Sequence, residues 1–232
     1  MNDISANIAQ IHARINQACR NSGRNPEEIT LIAVSKIKPA EDIEAAFHAG
    51  QKFFGESYVQ EFRDKQPLVT AQVEWHFIGG LQSNKVKYLR GKVAMIHSVD
   101  RLSLAKEINR QWDKIDKKAN ILLQVNVGDE TSKSGCKPEA LENLVRATAL
   151  LPNLNILGLM CLPPHSDDPE QVRPFFRQLK ELSEQVRQLK IPGVKMEELS
   201  MGMSGDFEVA VEEGATLVRV GTAIFGERIK KD

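Results

Sequence analysis

The sequence has no excess of either charge: lysine plus arginine and aspartate plus glutamate each total 31, so the formal net charge is zero. Nucleic-acid binding needs a basic patch or stripe, and no long basic run supplies one. The clustered Lys114, Lys117 and Lys118 read as a solvated helix end, and Lys230 and Lys231 as a polar tail that could touch ligand if it lay near a barrel mouth. Cysteine is scarce and widely spaced, at Cys19, Cys136 and Cys161. That spacing argues against a disulfide framework and against a Cys-x-x-Cys metal knuckle, and it fits a reducing cytoplasm. No stretch of about 18 apolar residues runs free of charges, so no membrane span is expected. The five histidines show neither His-x-x-x-His nor His-Glu-x-x-His spacing. His76 and His97 sit in apolar runs, where a satisfied structural role outweighs metal ligation, and no metal is expected. Low-complexity segments and Pro/Gly-rich linkers are missing too; "LPPHSDDPE" (162–170) reads as a loop, and one domain over residues 1–232 is the default at this length.

What is present is alternation. Ile4, Ile8, Ile11 and Ile15 recur at helical spacing, interrupted by His12, Arg14 and Asn16. They predict an amphipathic helix over about residues 3–20, not a signal peptide. Beyond it come eight short apolar runs: "TLIAVS", "KFFGE", "WHFIGG", "AMIHSV", "NILLQVNV", "NILGLMCL", "MEELSM" and "TLVRVG". Each reads as a strand. The segments between them carry helix punctuation: Pro39 opens and Gly50 closes "PAEDIEAAFHAG", and Pro138 opens "PEALENLVRATALL". From about Glu170 to Lys190, Val172, Phe175, Phe176, Leu179, Leu182 and Val186 keep helical spacing. Strand alternating with helix favours a parallel sheet, and eight repeats close most economically into a barrel. The expected fold is a single α/β (β/α)8 TIM-type barrel over about residues 29–228 with an extra N-terminal helix.

Functional groups in such barrels gather at the C-terminal ends of the strands. There the sequence is polar: Ser35 and Lys36, Glu56 and Ser57, His76 followed by Gln82, Asn84 and Lys85, then Asn126. The last two strands lead into "SMGMSGD" (200–206) and "RVGTAIFG" (219–226). Loops after the seventh and eighth strands are a frequent phosphate site in this fold. Gly202, Gly205 and Gly221 permit close backbone approach, and Ser200, Ser204 and Thr222 supply hydroxyls. The plainer reading is that these residues only cap the following helices; paired at this fold position, a phosphate cup is favoured.

A lysine at a strand end is usually just solvated. Facing a phosphate cup across a partly dehydrated mouth, Lys36 gains another use, because its neutral amine can form an imine with an aldehyde. An aldehyde and a phosphate on one ligand describe pyridoxal 5′-phosphate (PLP). Arg219, two residues before Gly221 and so on the same strand face, could meet the pyridine nitrogen; a salt bridge to Glu197, Asp206 or Glu227 is equally open. An arginine there would hydrogen-bond the ring nitrogen without protonating it, which weakens the ring as an electron sink.

The ordered set "AVSKIKP", "FGESYVQE", "WHFIGGLQSNK", "HSVDR", "VNVGDETSKSG", "GLM" and "LSMGMSGDFEVAVEEGATLVRVGTAIFGER" resembles the pyridoxal 5′-phosphate homeostasis protein family, from about Ile29 to Arg228. The resemblance implies a fold-type III barrel of the alanine racemase N-terminal type that holds PLP as an aldimine on Lys36. It implies that Ser200, Ser204, Gly221 and Thr222 hold the phosphate and that Arg219 meets the pyridine nitrogen. Two departures touch the pocket: Ser57 stands where the family often has asparagine, and Gly80 replaces a bulkier residue.

The role implied is intracellular PLP storage, buffering or delivery, without catalysis and with consequences for amino-acid and keto-acid metabolism. The alternative is a PLP-dependent amino-acid racemase using Lys36 as one base. A racemase of this resemblance takes its second base, a tyrosine, from a further domain and a partner subunit, and only Tyr58 and Tyr88 are present here. Tyr58 reads more simply as an amphipathic-helix residue. Lys133, in a polar loop after the fifth strand, could accept the aldehyde transiently but reads first as solvated. A phosphosugar or nucleotide enzyme using the same cup is the third reading. The expected partners are the small-molecule cofactor and, transiently, PLP-dependent apoenzymes; no exposed apolar stripe announces an oligomer, so a monomer is expected.

Overall fold

Valine, isoleucine, leucine and phenylalanine recur through most of the eight runs, as strands buried on both faces require. A computed structural model of the protein describes residues 3–128 and 134–227. The runs form β1 (Thr30–Val34), β2 (Phe53–Glu56), β3 (Glu74–Phe77), β4 (Met95–Val99), β5 (Ala119–Gln124), β6 (Leu154–Met160), β7 (Val194–Ser200) and β8 (Leu217–Val220). All neighbours pair in parallel and in chain order, and β8 returns to β1, with Ala33 opposite both Phe54 and Val220. The expected closed (β/α)8 barrel is therefore the fold.

Around it lie α2 (Ala40–His48), α3 (Val59–Lys65), α4 (Leu102–Asp113), α5 (Leu141–Ala149), α6 (Arg173–Gln188), α7 (Phe207–Glu212) and α8 (Thr222–Phe225), preceded in the chain by α1 (Ile4–Ser22). The alternation is not complete. Between β3 and β4 the chain makes a 3₁₀ turn, Ser83–Tyr88, in place of an α-helix. The segment "SNKVKY" holds one fully buried apolar residue, Val86, too few to seat a longer helix face on the barrel.

The extra helix α1 starts where Asp3 accepts a hydrogen bond from the Ala6 amide and stops at Gly23, whose φ of 68° suits a left-handed cap. It buries Ile8, Ile11 and Ile15. Its polar side braces the end of the barrel sequence: Arg14 pairs with Glu208 on α7 at 2.6 Å, and Asn7 Nδ2 donates to Ile224 O on α8 at 2.8 Å. Both braced helices follow the loops that were expected to form the phosphate cup.

The barrel interior has two kinds of filling. One cluster is apolar: Ile32, Met95, Leu122, Met160 and Leu217. The other is polar and equally dry, with His76, His97, Ser200 and Arg219 all at most 4% exposed. The interior is packed, not a pore, and the open space lies at the strands' C-terminal ends.

Candidate functional site

A cavity of about 650 Å³ opens at that end, within the range of small-molecule sites. Its lining brings together Lys36, Ser204, Arg219, Gly221 and Thr222, from the far ends of the sequence. Val34, Ser57, Ile78, Gly79, Gly80, Gln124, Leu162 and Met203 supply the rest of a largely apolar wall, with Ser134, His165 and Gly205 at its edge.

Lys36 is half-buried and leaves β1 through a tight turn in which the Lys38 amide bonds Ser35 O at 3.0 Å. Ile37 takes a φ of 63° in that turn, a conformation that a β-branched residue adopts only at a cost of order 1–3 kcal/mol. Strand alternation sends Val34 and Lys36 to the cavity and Ser35 outward. There the Ser35 hydroxyl donates to Glu56 Oε1 at 2.7 Å.

The cup opposite is built from two loops tied to each other. After β7 the chain turns through Gly202 at a φ of 89°, where an added Cβ would come within 2.6 Å of Ala210 Cβ. Only glycine fits that turn against α7. The Arg219 amide bonds Gly202 O at 3.0 Å, and the Gly221 amide donates to Ser204 Oγ at 3.2 Å. At Gly221 a Cβ would crowd Val34 O at 3.3 Å, so a bare backbone there keeps the loop close to β1. Thr222 opens α8 directly beside it.

Arg219 lies beneath the cup, 3% exposed. Its Nη1 donates to Ser200 Oγ and its Nη2 to Cys161 O at 2.9 Å, and it forms no ion pair among the described residues. Burial pulls its pKa down from the usual arginine value, against the attraction of Asp206, yet a guanidinium remains protonated at any physiological pH. The chain of contacts continues, with His97 Nδ1 2.8 Å from Ser200 Oγ and His97 Nε2 2.8 Å from His76 Nδ1. A neutral imidazole has one donor and one acceptor. If Ser200 accepts from Arg219 and donates to His97, then His97 donates to His76, and all three contacts are made as hydrogen bonds without a second positive charge. Burial favours that assignment: it pushes His76 down to about 4 and His97 well below the ordinary histidine value, with the Arg219 charge adding to the effect at His97.

Most of the expected site residues meet in this cavity; Ser200 is the exception. Its side chain is fully buried and points to His97 and Arg219, not to the cup, because it is still a strand residue and its face is set by the pleat. Glu56 lies behind the barrel wall, His76 in the interior, and Gln82, Asn84, Lys85 and Asn126 are not part of the lining. Gln124, Leu162 and His165 also line it; Gln124 lies inside the run "NILLQVNV" and closes β5, two residues before Asn126, the polar residue expected at that strand end. Tyr58 precedes α3 and is 56% exposed, away from the lining. Lys133, Arg228, Lys230 and Lys231 lie outside the described residues.

The model of the family described as alanine racemase, N-terminal domain, matches residues 6–229. A pyridoxal phosphate homeostasis protein of Aquifex aeolicus is 48% identical over 222 residues, covering 95% of this chain and 96% of that one. The chain belongs to the pyridoxal phosphate homeostasis protein family. The pyridoxal phosphate homeostasis protein of Escherichia coli K12 is 45% identical over 98% of both chains. Among solved structures, PipY of Synechococcus elongatus PCC7942, with PLP bound, superposes with a TM-score of 0.85 at 34% identity, covering 96% of this chain and 100% of that one. An alanine racemase of Clostridium difficile 630 shares the fold at a TM-score of 0.76 and 14% identity, over 99% of this chain and 58% of that one. No helix among the described residues of this family member is long and apolar enough to cross a membrane.

Proposed function

We propose that this chain binds PLP in the barrel-mouth cavity and serves PLP homeostasis by storing, buffering or delivering the cofactor. The observation that carries the reading is the convergence of an amine, a buried guanidinium and a glycine-hydroxyl cup on one cavity, in a member of a family named for this role. The residues fit the ligand's parts. Ser204 and Thr222 offer hydroxyls, and the backbone at Gly205 and Gly221 stays unshielded for phosphate oxygens. Ser57 and Ile78 help shape the side of the slot. Arg219 can donate to the pyridine nitrogen while keeping its own proton.

When bound, PLP supplies an aldehyde carbon open to a nucleophilic amine, and the Lys36 amine is the group placed to engage it. Ser200 holds Arg219 by accepting from Nη1. That is its role in this reading, in place of phosphate contact.

The same cavity supports binding over turnover. Among the described lining residues Lys36 is the only side chain of the racemase type; no tyrosine or cysteine faces it, and apart from Lys36 and Arg219 only the exposed His165 could supply a cation for a substrate carboxylate. Racemization needs a second, opposed base. We assign the protein a single domain acting as a monomer in the cytoplasm, which suits its three free cysteines, with PLP-dependent apoenzymes as transient recipients. The test is titration with PLP followed by absorbance. The parent should gain the visible band of a covalently held cofactor and Lys36→Ala should not, with no racemase or transaminase turnover in either. An equal band in both variants would move the attachment site; sustained racemization would favour the enzyme.

A further inference from the structure

Behind the wall that carries Lys36 lies a charged cluster that the cofactor reading leaves unused. Lys65, on α3, is 7% exposed, and its Nζ donates three hydrogen bonds: to Ser35 O at 2.8 Å, to Glu56 Oε1 at 2.7 Å and to Glu61 Oε1 at 2.6 Å. The same Glu61 oxygen accepts the Ile37 amide. The two backbone groups flanking Lys36, the Ser35 carbonyl and the Ile37 amide, are therefore both held by α3. On the other side, Lys38 Nζ donates to Phe225 O at 2.6 Å and Glu227 O at 3.1 Å, which ties the end of the turn to the close of α8.

This arrangement is costly as a stabilising device. Glu56 is fully buried, its Oε2 has no hydrogen-bond partner, and burial raises its pKa against the pull of Lys65. A buried ion pair of this kind often breaks even with apolar packing, so its worth lies in fixing geometry. The geometry it fixes is unusual. The turn puts Ile37, 52% exposed, in the left-handed region, and such a conformation persists only where the surroundings over-determine it.

We infer that Glu61 and Lys65 are positioning residues for Lys36: by gripping the carbonyl before it and the amide after it, they aim its amine at the aldehyde end of the cavity. The inference rests on the PLP reading above. Neither residue touches the cavity, so neither acts on the ligand directly.

Pyridoxamine 5′-phosphate separates the two contributions, because it keeps the phosphate and the ring but has no aldehyde for Lys36. Glu61→Leu should slow covalent capture of PLP and weaken PLP binding about tenfold, the scale of a lost hydrogen bond to a charged group, while pyridoxamine 5′-phosphate affinity stays within about twofold. Glu61→Gln keeps an oxygen for the Ile37 amide and should restore PLP capture. Lys65→Met, of similar length but without donors, should follow Glu61→Leu. Parent-like capture in Glu61→Leu would overturn the inference, as would equal loss of both ligands, which assigns Glu61 to the fold alone. Absence of any Lys36 adduct in the parent would instead bring down the PLP reading, and this inference with it.

Discussion

The two fillings of the barrel interior differ in chemistry more than in burial. Ile32, Met95, Leu122, Met160 and Leu217 form an apolar plug, whereas His76, His97, Ser200 and Arg219 form a hydrogen-bonded chain, and both sets are almost wholly shielded from water. The plug is stabilised by burial and close packing, which tolerate any shape-matched apolar set. The polar chain tolerates far less, because each buried donor or acceptor left unpaired costs about 1–3 kcal/mol. What the chain provides is a fixed cation under the cavity. The pairing teaches that the molecule separates its stability from its chemistry by layer, on the same strands: β8 contributes Leu217 to the plug and Arg219 to the chain.

That separation can be broken from either side. Leu122→Ala empties part of the plug and should destabilise the fold by about 2–5 kcal/mol, read by chemical denaturation, with PLP affinity of the folded protein unchanged. A large loss of affinity with little loss of stability would erase the distinction between the layers.

Acid should strike the polar chain next. An unfolded histidine titrates near 6.5, while folded His76 is held down to about 4. Between those values the unfolded chain takes up the proton and the folded chain does not. Stability is therefore full above about pH 6.5 and falls as the pH drops through that window, by about 3 kcal/mol for His76 alone. Glu56 and Asp206, both raised by burial, act in the opposite sense as the pH falls toward the ordinary carboxylate range. The contrast that isolates the histidine is His76→Gln, whose denaturation midpoint should change less between pH 7 and pH 5 than that of the parent. The same slope in both would show that the pair is not held neutral.

The smallest effect is expected at the guanidinium itself. Arg219→Gln keeps a donor but loses the charge, and should weaken PLP binding about tenfold and alter the absorbance of the bound ring. A titration and spectrum matching the parent would leave Arg219 as a strut between Ser200 and Cys161.

The legibility of the sequence follows the same division. Most of the strands show as apolar runs because parallel strands buried on both faces are apolar; β7 shows only through Met196 and Leu199, since its Lys195 and Glu197 are exposed. Lys36, Ser204, Arg219, Gly221 and Thr222 are readable because they break those runs at the end where such barrels carry function. Ser200 misleads: its position at the end of β7 is legible, but its partners arrive from β4 and β8, and nothing local in "LSMGMS" announces them. Glu61 and Lys65 are hidden for a different reason. At a spacing of four on a helix they look like an ordinary solvated pair, and only the packing of α3 on the β1 turn makes them a clamp. The 3₁₀ turn after β3 shows the limit of counting repeats, since a short polar link closes the barrel as well as a helix does.

Everything proposed for the cavity depends on the amine of Lys36 as the point where the cofactor is held. Borohydride reduction of the PLP-loaded protein, followed by peptide mass mapping, tests that attachment most directly. A single modified peptide with the label on Lys36 is expected. A label on another lysine, Lys38 or Lys133 included, or no label at all, would contradict it.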